Sequence, residues 1–314
     1  MELPPEAAGD SPGDLLVLTS YFNSEHFLSR RRNFEIFAES LRQRGVPLLT
    51  VECAFGGGAF DLAPAPSVAQ VGSSSVLWQK ERLLNLGLQR APSSFTKVAW
   101  IDADVLFENP RCFSETSRLL DEYPVVQMFE SVARLPREQY SYQETCTAWK
   151  SFGARTRAAP GSHFLGWFRH GHTGFAWAAR REVFDGPGFF DLCMSGANDH
   201  LMAHAFMGDW YSNCIEEMIG LGSPIHSEYR AWGRKVFKRV DSGVGVTPGR
   251  ALHLWHGDDK HRTYHKWSQE FKACKMQPKR DVRLNETGCW EWTGANPALE
   301  SWSMGLFSCR NEDG

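Results

Sequence analysis

Residues 98–101, Val-Ala-Trp-Ile, are an unbroken apolar run rich in strand formers, and Asp102 and Asp104 follow at once in the stretch KVAWIDADVLFEN. A strand with no polar–apolar alternation is buried on both faces, as is usual for a central strand in a sheet covered by helices on each side. Sheets of that kind bind ligands at the carboxyl ends of their strands, and residues two apart in an extended chain point the same way. The two carboxylates therefore serve one site, and hard oxygen ligands there suit a divalent cation that holds a diphosphate. Asp-x-Asp alone arises about once by chance in a chain this long, so its place behind a buried strand carries the weight. The competing reading is a solvated loop whose carboxylates cap the next element.

The order of elements around this strand sets the fold class. Residues 15–19 (LLVLT) read as a second buried strand opening into Ser20, Tyr21, Phe22 and Asn23. Phe34, Phe37, Ala38 and Leu41 follow at helical spacing with Gly45 as a stop, and residues 46–52 return to strand character. Strand, helix, strand is a βαβ unit, so a parallel sheet begins near the N-terminus. No G-x-G-x-x-G follows the first strand, and Gly56 to Gly58 read as a flexible loop. Residues 76–89 (VLWQKERLLNLGLQ) predict a helix with Ser75 as its N-cap and Leu77, Leu84 and Leu88 along one stripe. Lys80, Arg82 and Asn85 on that helix are placed to reach a nucleotide diphosphate, unless they are simply its solvated face. A further helix at 112–123 and a strand at 125–129 continue the alternation.

The pattern then breaks. Residues 131–172 show little periodicity but hold Tyr140, Tyr142, Trp149, Phe152, Phe164, Trp167 and Phe168. So long an irregular run is expected to be a binding loop, with rings suited to the C–H faces of sugars, or else a satellite core under a loop. Residues 175–183 resume regular structure, and Phe189-Phe190-Asp191 leads to Ser195-Gly196-Ala197-Asn198-Asp199. Asn198 or Asp199 caps the helix implied by His200, Leu201, Met202 and Phe206; alternatively Asp199 is a general base for a hydroxyl. Residues 251–255 are a last strand, followed by His256-Gly257-Asp258-Asp259. His253 and His256 cannot both face one side of a regular strand, and His256 is the preferred metal ligand. A closing helix is expected at 267–275, and Trp290, Trp292, Trp302 and Phe307 imply that residues 277–314 pack back on the domain.

Composition narrows the function. The chain has 314 residues and a formal net charge of −3, so nucleic acid finds no electrostatic footprint. No apolar segment approaches the roughly 18 residues of a membrane span. Residues 1–13 are acidic, without the cationic and apolar parts of a signal peptide, which makes a flexible leader and a cytoplasmic location the expectation. The eight cysteines include no C-x-x-C pair, which argues against a zinc site and for reduced apolar fillers.

In order, LWQKERLLNLGL, WIDADVLFEN, TGFAWAARREVF, GFFD with SGAND, and LHLWHG resemble the GT-A nucleotide-sugar glycosyltransferases, close to the bacterial family-2-like and galactosyltransferase-like branch. The resemblance spans residues 15–267. It implies a Rossmann-like α/β fold in which a mixed, mostly parallel sheet is flanked by helices. It also implies a Mn²⁺- or Mg²⁺-dependent enzyme that moves a sugar from a nucleotide-diphosphate sugar to a saccharide or other acceptor hydroxyl. Asp102 and Asp104 match the D-x-D motif, the second ligating metal and the first also contacting ribose or donor sugar, and His256 matches the late metal-binding histidine. SGAND stands where inverting members place their base, which makes Asp199 the base although Asn198 replaces a commonly acidic residue. Thr19, Tyr21 and Asn23 fall where such enzymes hold the base and ribose. Residues 14–276 would form the catalytic domain, 131–172 its acceptor-side loop and 277–314 an extension.

Two other readings fit parts of the sequence. In a haloacid-dehalogenase-like phosphohydrolase a strand also ends in D-x-D, with Asp258 and Asp259 completing a Mg²⁺ site; against it, that motif normally lies near the N-terminus. A non-catalytic carbohydrate-binding protein is suggested by the 12 tryptophans.

Overall fold

The computed structural model describes residues 10–167, 169–258 and 264–314. Residues 1–9 of the expected leader, Phe168 of the aromatic stretch and Asp259 lie outside the described residues. The strands are β1 (Leu15–Phe22), β2 (Leu48–Phe55), β3 (Val68–Ser73), β4 (Lys97–Ile101), β5 (Val105–Phe107), β6 (Val125–Gln127), β7 (Ser131–Arg134), β8 (Ala148–Lys150), β9 (Ala176–Arg180), β10 (Val244–Val246), β11 (Arg250–His253), β12 (Val282–Leu284) and β13 (Trp290–Trp292). The helices are α1 (Leu28–Gln43), α2 (Lys80–Arg90), α3 (Cys112–Glu122), α4 (Phe152–Ala158), α5 (Asn198–Phe206), α6 (Asn213–Ile219), α7 (Pro224–Val240), α8 (Tyr264–Ala273), α9 (Pro278–Asp281) and α10 (Pro297–Ser308). No helix among the described residues is long and apolar enough to cross a membrane.

The main sheet has the order β10-β6-β9-β4-β1-β2-β3. Its neighbours are parallel except β9, which is antiparallel to both β4 and β6. The expected mixed, mostly parallel sheet flanked by helices is therefore present. The unbroken apolar runs explain it: Leu16, Leu18, Val98 and Trp100 pack on one face with Leu84 of α2, Leu201 of α5 and Tyr229 of α7. Leu15, Val17, Ala99 and Ile101 pack on the other with Phe37 and Leu41 of α1 and Phe113 of α3. Each large side chain so buried contributes about 1.5–3 kcal/mol, and neither face tolerates a charge.

A second sheet, ordered β5-β11-β7-β8, builds one wall of the site. β11 lies antiparallel to β5 with His253 opposite Val105, which sets an imidazole beside Asp104. Three expectations change here. α2 begins at Lys80, because the segment before it is drawn out along β13: Trp292 N–H donates to the Ser75 hydroxyl and Gln79 Nε2 donates to Trp290 O, so Ser75 caps nothing. Residues 131–172 are more regular than their pattern suggests, since β7, β8 and α4 are too short to show a period; Ser151 N-caps α4. At the leader's end Asp10 is buried, and its carboxylate accepts Phe113 N–H and Ser114 N–H at 2.9 Å each, anchoring the start of α3. In the C-terminal segment, Leu306 and Phe307 of α10 pack with Phe22 and Val51.

Candidate functional site

A cleft opens at the carboxyl ends of β1 and β4, with Tyr21, Trp78, Lys80, Asp102, Asp104 and His256 among its walls. β4 ends at Ile101, and Asp102 N–H still donates, at 2.8 Å, to the carbonyl oxygen of Phe175, the residue just before β9, which fixes the start of the turn. Phe175, which lines the cleft, has φ of +81°, a left-handed conformation costly for an aromatic residue and typical of functional turns. Asp104 O accepts Leu254 N–H at 2.9 Å, so the turn after β4 and the end of β11 are tied together.

That tie assembles a metal-type cluster. Donor atoms of Asp104, His253 and His256 lie within 4.8 Å of one another. His256 Nε2 is 3.1 Å and His253 Nε2 3.6 Å from Asp104 Oδ2, and the two imidazole nitrogens are 2.9 Å apart. The expectation that only one histidine faces the site changes, because β11 ends at His253 and the irregular chain beyond it turns His256 inward. Behind His256, Nδ1 sits 3.5 Å from the buried Glu312 carboxylate. Against the cost of burial, Arg30, His256 and Arg310 hold Glu312 well below the usual carboxylate range.

A charged row runs beside the cluster. Lys80 Nζ lies 2.5 Å from Asp102 Oδ1 and 2.6 Å from Asp199 Oδ2. Burial, with the nearby charges of Asp199 and Asp104, pushes the Asp102 carboxyl up despite Lys80. Burial likewise raises Glu81, helped by Asp199. Four acidic groups thus crowd one lysine, a balance that favours a further cation. Asp199 stands in the first turn of α5, while Asn198 is structural: its amide spans Cys193 N–H and Cys193 O at 3.0 and 2.9 Å and donates to Glu81 at 2.8 Å. Neither residue is the N-cap, which is Ala197.

The structure brings together Tyr21, Lys80, Asp102, Asp104, Asp199 and His256. It places three other candidates elsewhere. The Thr19 hydroxyl is buried and donates to Ile101 O at 2.7 Å. Asn23 holds Phe27 N–H and Asp61, and Asn85 spans the Phe189 backbone and reaches Asp191. Sequence reasoning missed Arg30, Trp78, Arg310 and Glu312. Arg310 lies over the Trp78 ring, 4.9 Å from its centroid, and no spacing rule links residues 232 positions apart.

No protein-family model matches the chain, and comparison with curated proteins found no match. Among solved structures it is similar to the catalytic domain of Drosophila β1,4-galactosyltransferase 7 with xylobiose, at 14% identity and TM-score 0.30 over 75% of this chain and 64% of that one. The chain thus spans a little under two thirds of that relative. It is also similar to a mutant of the same enzyme with manganese, UDP-Gal and xylobiose (15%, TM-score 0.33, 79% and 73%). Mouse xyloside xylosyltransferase 1 matches at 12% identity and TM-score 0.28 over 74% and 83%. At these scores the likenesses do not bear on function.

Proposed function

We propose that the protein is a Mn²⁺-dependent glycosyltransferase of the GT-A type, moving a sugar from a nucleoside-diphosphate sugar to an acceptor hydroxyl with inversion. The observation that carries this reading is the convergence of Asp104, His253 and His256 at strand ends, beside a lysine bridging Asp102 and Asp199. Asp104, His253 and His256 would hold the cation, with Asp102 alongside. Two imidazoles with a carboxylate suit Mn²⁺ better than Mg²⁺, which prefers oxygen ligands and its own waters. When bound, the cation offsets charge developing on a departing diphosphate.

The chain's own groups do the rest. Arg30 and Arg310 line the cleft and offer guanidinium donors that match phosphate oxygens. Lys80, held between Asp102 and Asp199, adds positive charge on the same side. Tyr21 and Trp78 line the cleft where the nucleoside or sugar would sit. Asp199 accepts the acceptor hydroxyl's proton as that oxygen bonds to the anomeric carbon and the carbon–oxygen bond to the diphosphate breaks. Residues 14–276 serve as the catalytic domain with 131–172 on the acceptor side, and 277–314 completes the donor side through Arg310 and Glu312.

A panel of nucleotide sugars tests the reading, with melting temperature and nucleotide release measured with and without Mn²⁺. One donor should raise the melting temperature only with Mn²⁺. Asp104→Ala should abolish that shift, while Asp199→Asn should keep it and lower transfer by roughly a hundredfold or more. Turnover of a simple phosphate ester without response to any nucleotide sugar favours the phosphohydrolase. Sugar binding indifferent to chelator favours a binding protein.

A further inference from the structure

A second group of metal-type side chains lies on the opposite, fully enclosed flank of α5. We infer that His170, His200, His204 and Cys214 form a structural zinc site that locks the acceptor side of the molecule. The donor atoms of these four residues lie within 4.8 Å of one another, and all four side chains are buried. His200 and His204 are one turn apart on α5, with their rings stacked at 4.8 Å. His170 Nε2 reaches within 3.0 Å of His200 Nε2, and Cys214 comes from the first turn of α6.

The surroundings fix which nitrogens face inward. His170 Nδ1 is 2.8 Å from Gly171 O, and a carbonyl only accepts, so that nitrogen carries the proton and Nε2 keeps its lone pair. His204 Nδ1 is 2.6 Å from Asp209 Oδ2. The Asp209 carboxylate also accepts Tyr211 N–H and Ser212 N–H, at 3.1 and 2.9 Å, so it is an acceptor and His204 Nδ1 is its donor. His204 Nε2, the ring's other nitrogen, is buried and without a hydrogen-bond partner, and in the neutral Nδ1–H tautomer it would offer its lone pair to an ion. A carboxylate or carbonyl behind each ligating imidazole is the usual support of zinc histidines.

The donor set points to the ion. Three imidazoles and one thiol with no open side suit a closed tetrahedral Zn²⁺ site. Donors at about 2.0–2.3 Å from zinc lie roughly 3.3–3.8 Å apart, so closing the observed cluster takes shifts of about 1 Å. The Cys214 thiol gives its proton to solvent as the zinc–sulfur bond forms. Gly171 keeps the His170 loop close: its φ is +89°, and an added Cβ would lie 2.6 Å from Ser151 O. Zinc would therefore join the 162–174 loop, α5 with Asp199, and α6. The sequence holds no C-x-x-C, and H-x-x-x-H at 200 and 204 is the local pattern on which this inference draws.

The test reads metal rather than activity. Full-length protein, stripped with a strong chelator under reducing conditions, is titrated with Zn²⁺ and separately with Co²⁺. Expected are about one tightly held zinc per chain, a rise in melting temperature, and tetrahedral cobalt bands with a thiolate-to-cobalt charge-transfer band. Cys214→Ser should remove the charge-transfer band and His204→Gln the tight zinc, while Asp104→Asn should change neither. Wild-type protein without the charge-transfer band overturns the inference even if both variants misfold, as does a band that Cys214→Ser leaves intact.

Discussion

Lys80 Nζ stands 2.6 Å from Asp199 Oδ2 and at the same time 2.5 Å from Asp102 Oδ1, so one ammonium neutralises the ends of two elements that meet only in the folded chain. The side chain is 11% exposed. Removing it by Lys80→Met leaves like charges facing each other. We expect a loss of about 3 kcal/mol, as for a buried pair deprived of one partner, partly recovered by Mn²⁺. Urea unfolding with and without Mn²⁺ measures both; a variant as stable as the wild type would show that the bridge holds nothing together.

His253 and His256 share one carboxylate, and in the proposed cation site each imidazole would tilt the preference toward Mn²⁺ and away from Mg²⁺. His256→Ala should weaken Mn²⁺ binding by roughly ten- to a hundredfold and narrow its advantage over Mg²⁺. Glu312→Gln, acting from behind His256, should have a smaller effect in the same direction. Titration of each variant with both ions, followed by calorimetry, separates the two.

What the sequence reveals follows from how local each feature is. β4 and its trailing carboxylates were legible because a doubly buried strand is an unbroken apolar run and its end is where the chain turns to solvent. The place of Asp199 at the start of α5 was legible because a glycine turn before a helix has its own composition. Thr19 and Asn85 misled for the opposite reason: a polar side chain near a strand end or on a helix reads alike whether it faces a ligand or satisfies a buried carbonyl, as theirs do. Glu312 and Arg310 were invisible, since only the packing of α10 on β1 brings residue 312 to His256.

Gly196 sets the approach of Asp199. Its φ is +83°, and an added Cβ would lie 3.1 Å from the Trp78 ring, in the cleft wall. Gly196→Ala combines left-handed strain with a push on that ring. Expected are a loss of about 1–2 kcal/mol and, on the proposed reading with Asp199 as base, a fall in kcat larger than the change in donor KM, because Asp199 moves while the groups proposed to face the phosphates stay. Steady-state kinetics with donor varied at saturating acceptor decides it; an unchanged kcat would mean that the turn does not place Asp199.

Asp313 caps a helix that begins 285 residues earlier. α1 has no side-chain cap from its own N-cap residue, Phe27; instead the Asp313 carboxylate accepts Leu28 N–H at 2.9 Å and Ser29 N–H at 2.7 Å. Against the cost of partial burial, those two bonds hold its carboxyl below the usual range. A depressed acid binds fewer protons folded than unfolded, so its stabilisation is present above the ordinary carboxylate pKa of about 3.9 and is lost as pH falls through the lower folded value. Asp313→Ala should therefore cost about 1 kcal/mol at pH 7, the usual worth of a cap at a positive helix end. The gap between the two proteins should shrink as the pH falls below the ordinary carboxylate value of about 3.9 and close once Asp313 is protonated in the folded chain. Parallel urea titrations across that range check the sign: a gap that widened in acid would mean the carboxylate is held by something other than the N-terminus of α1.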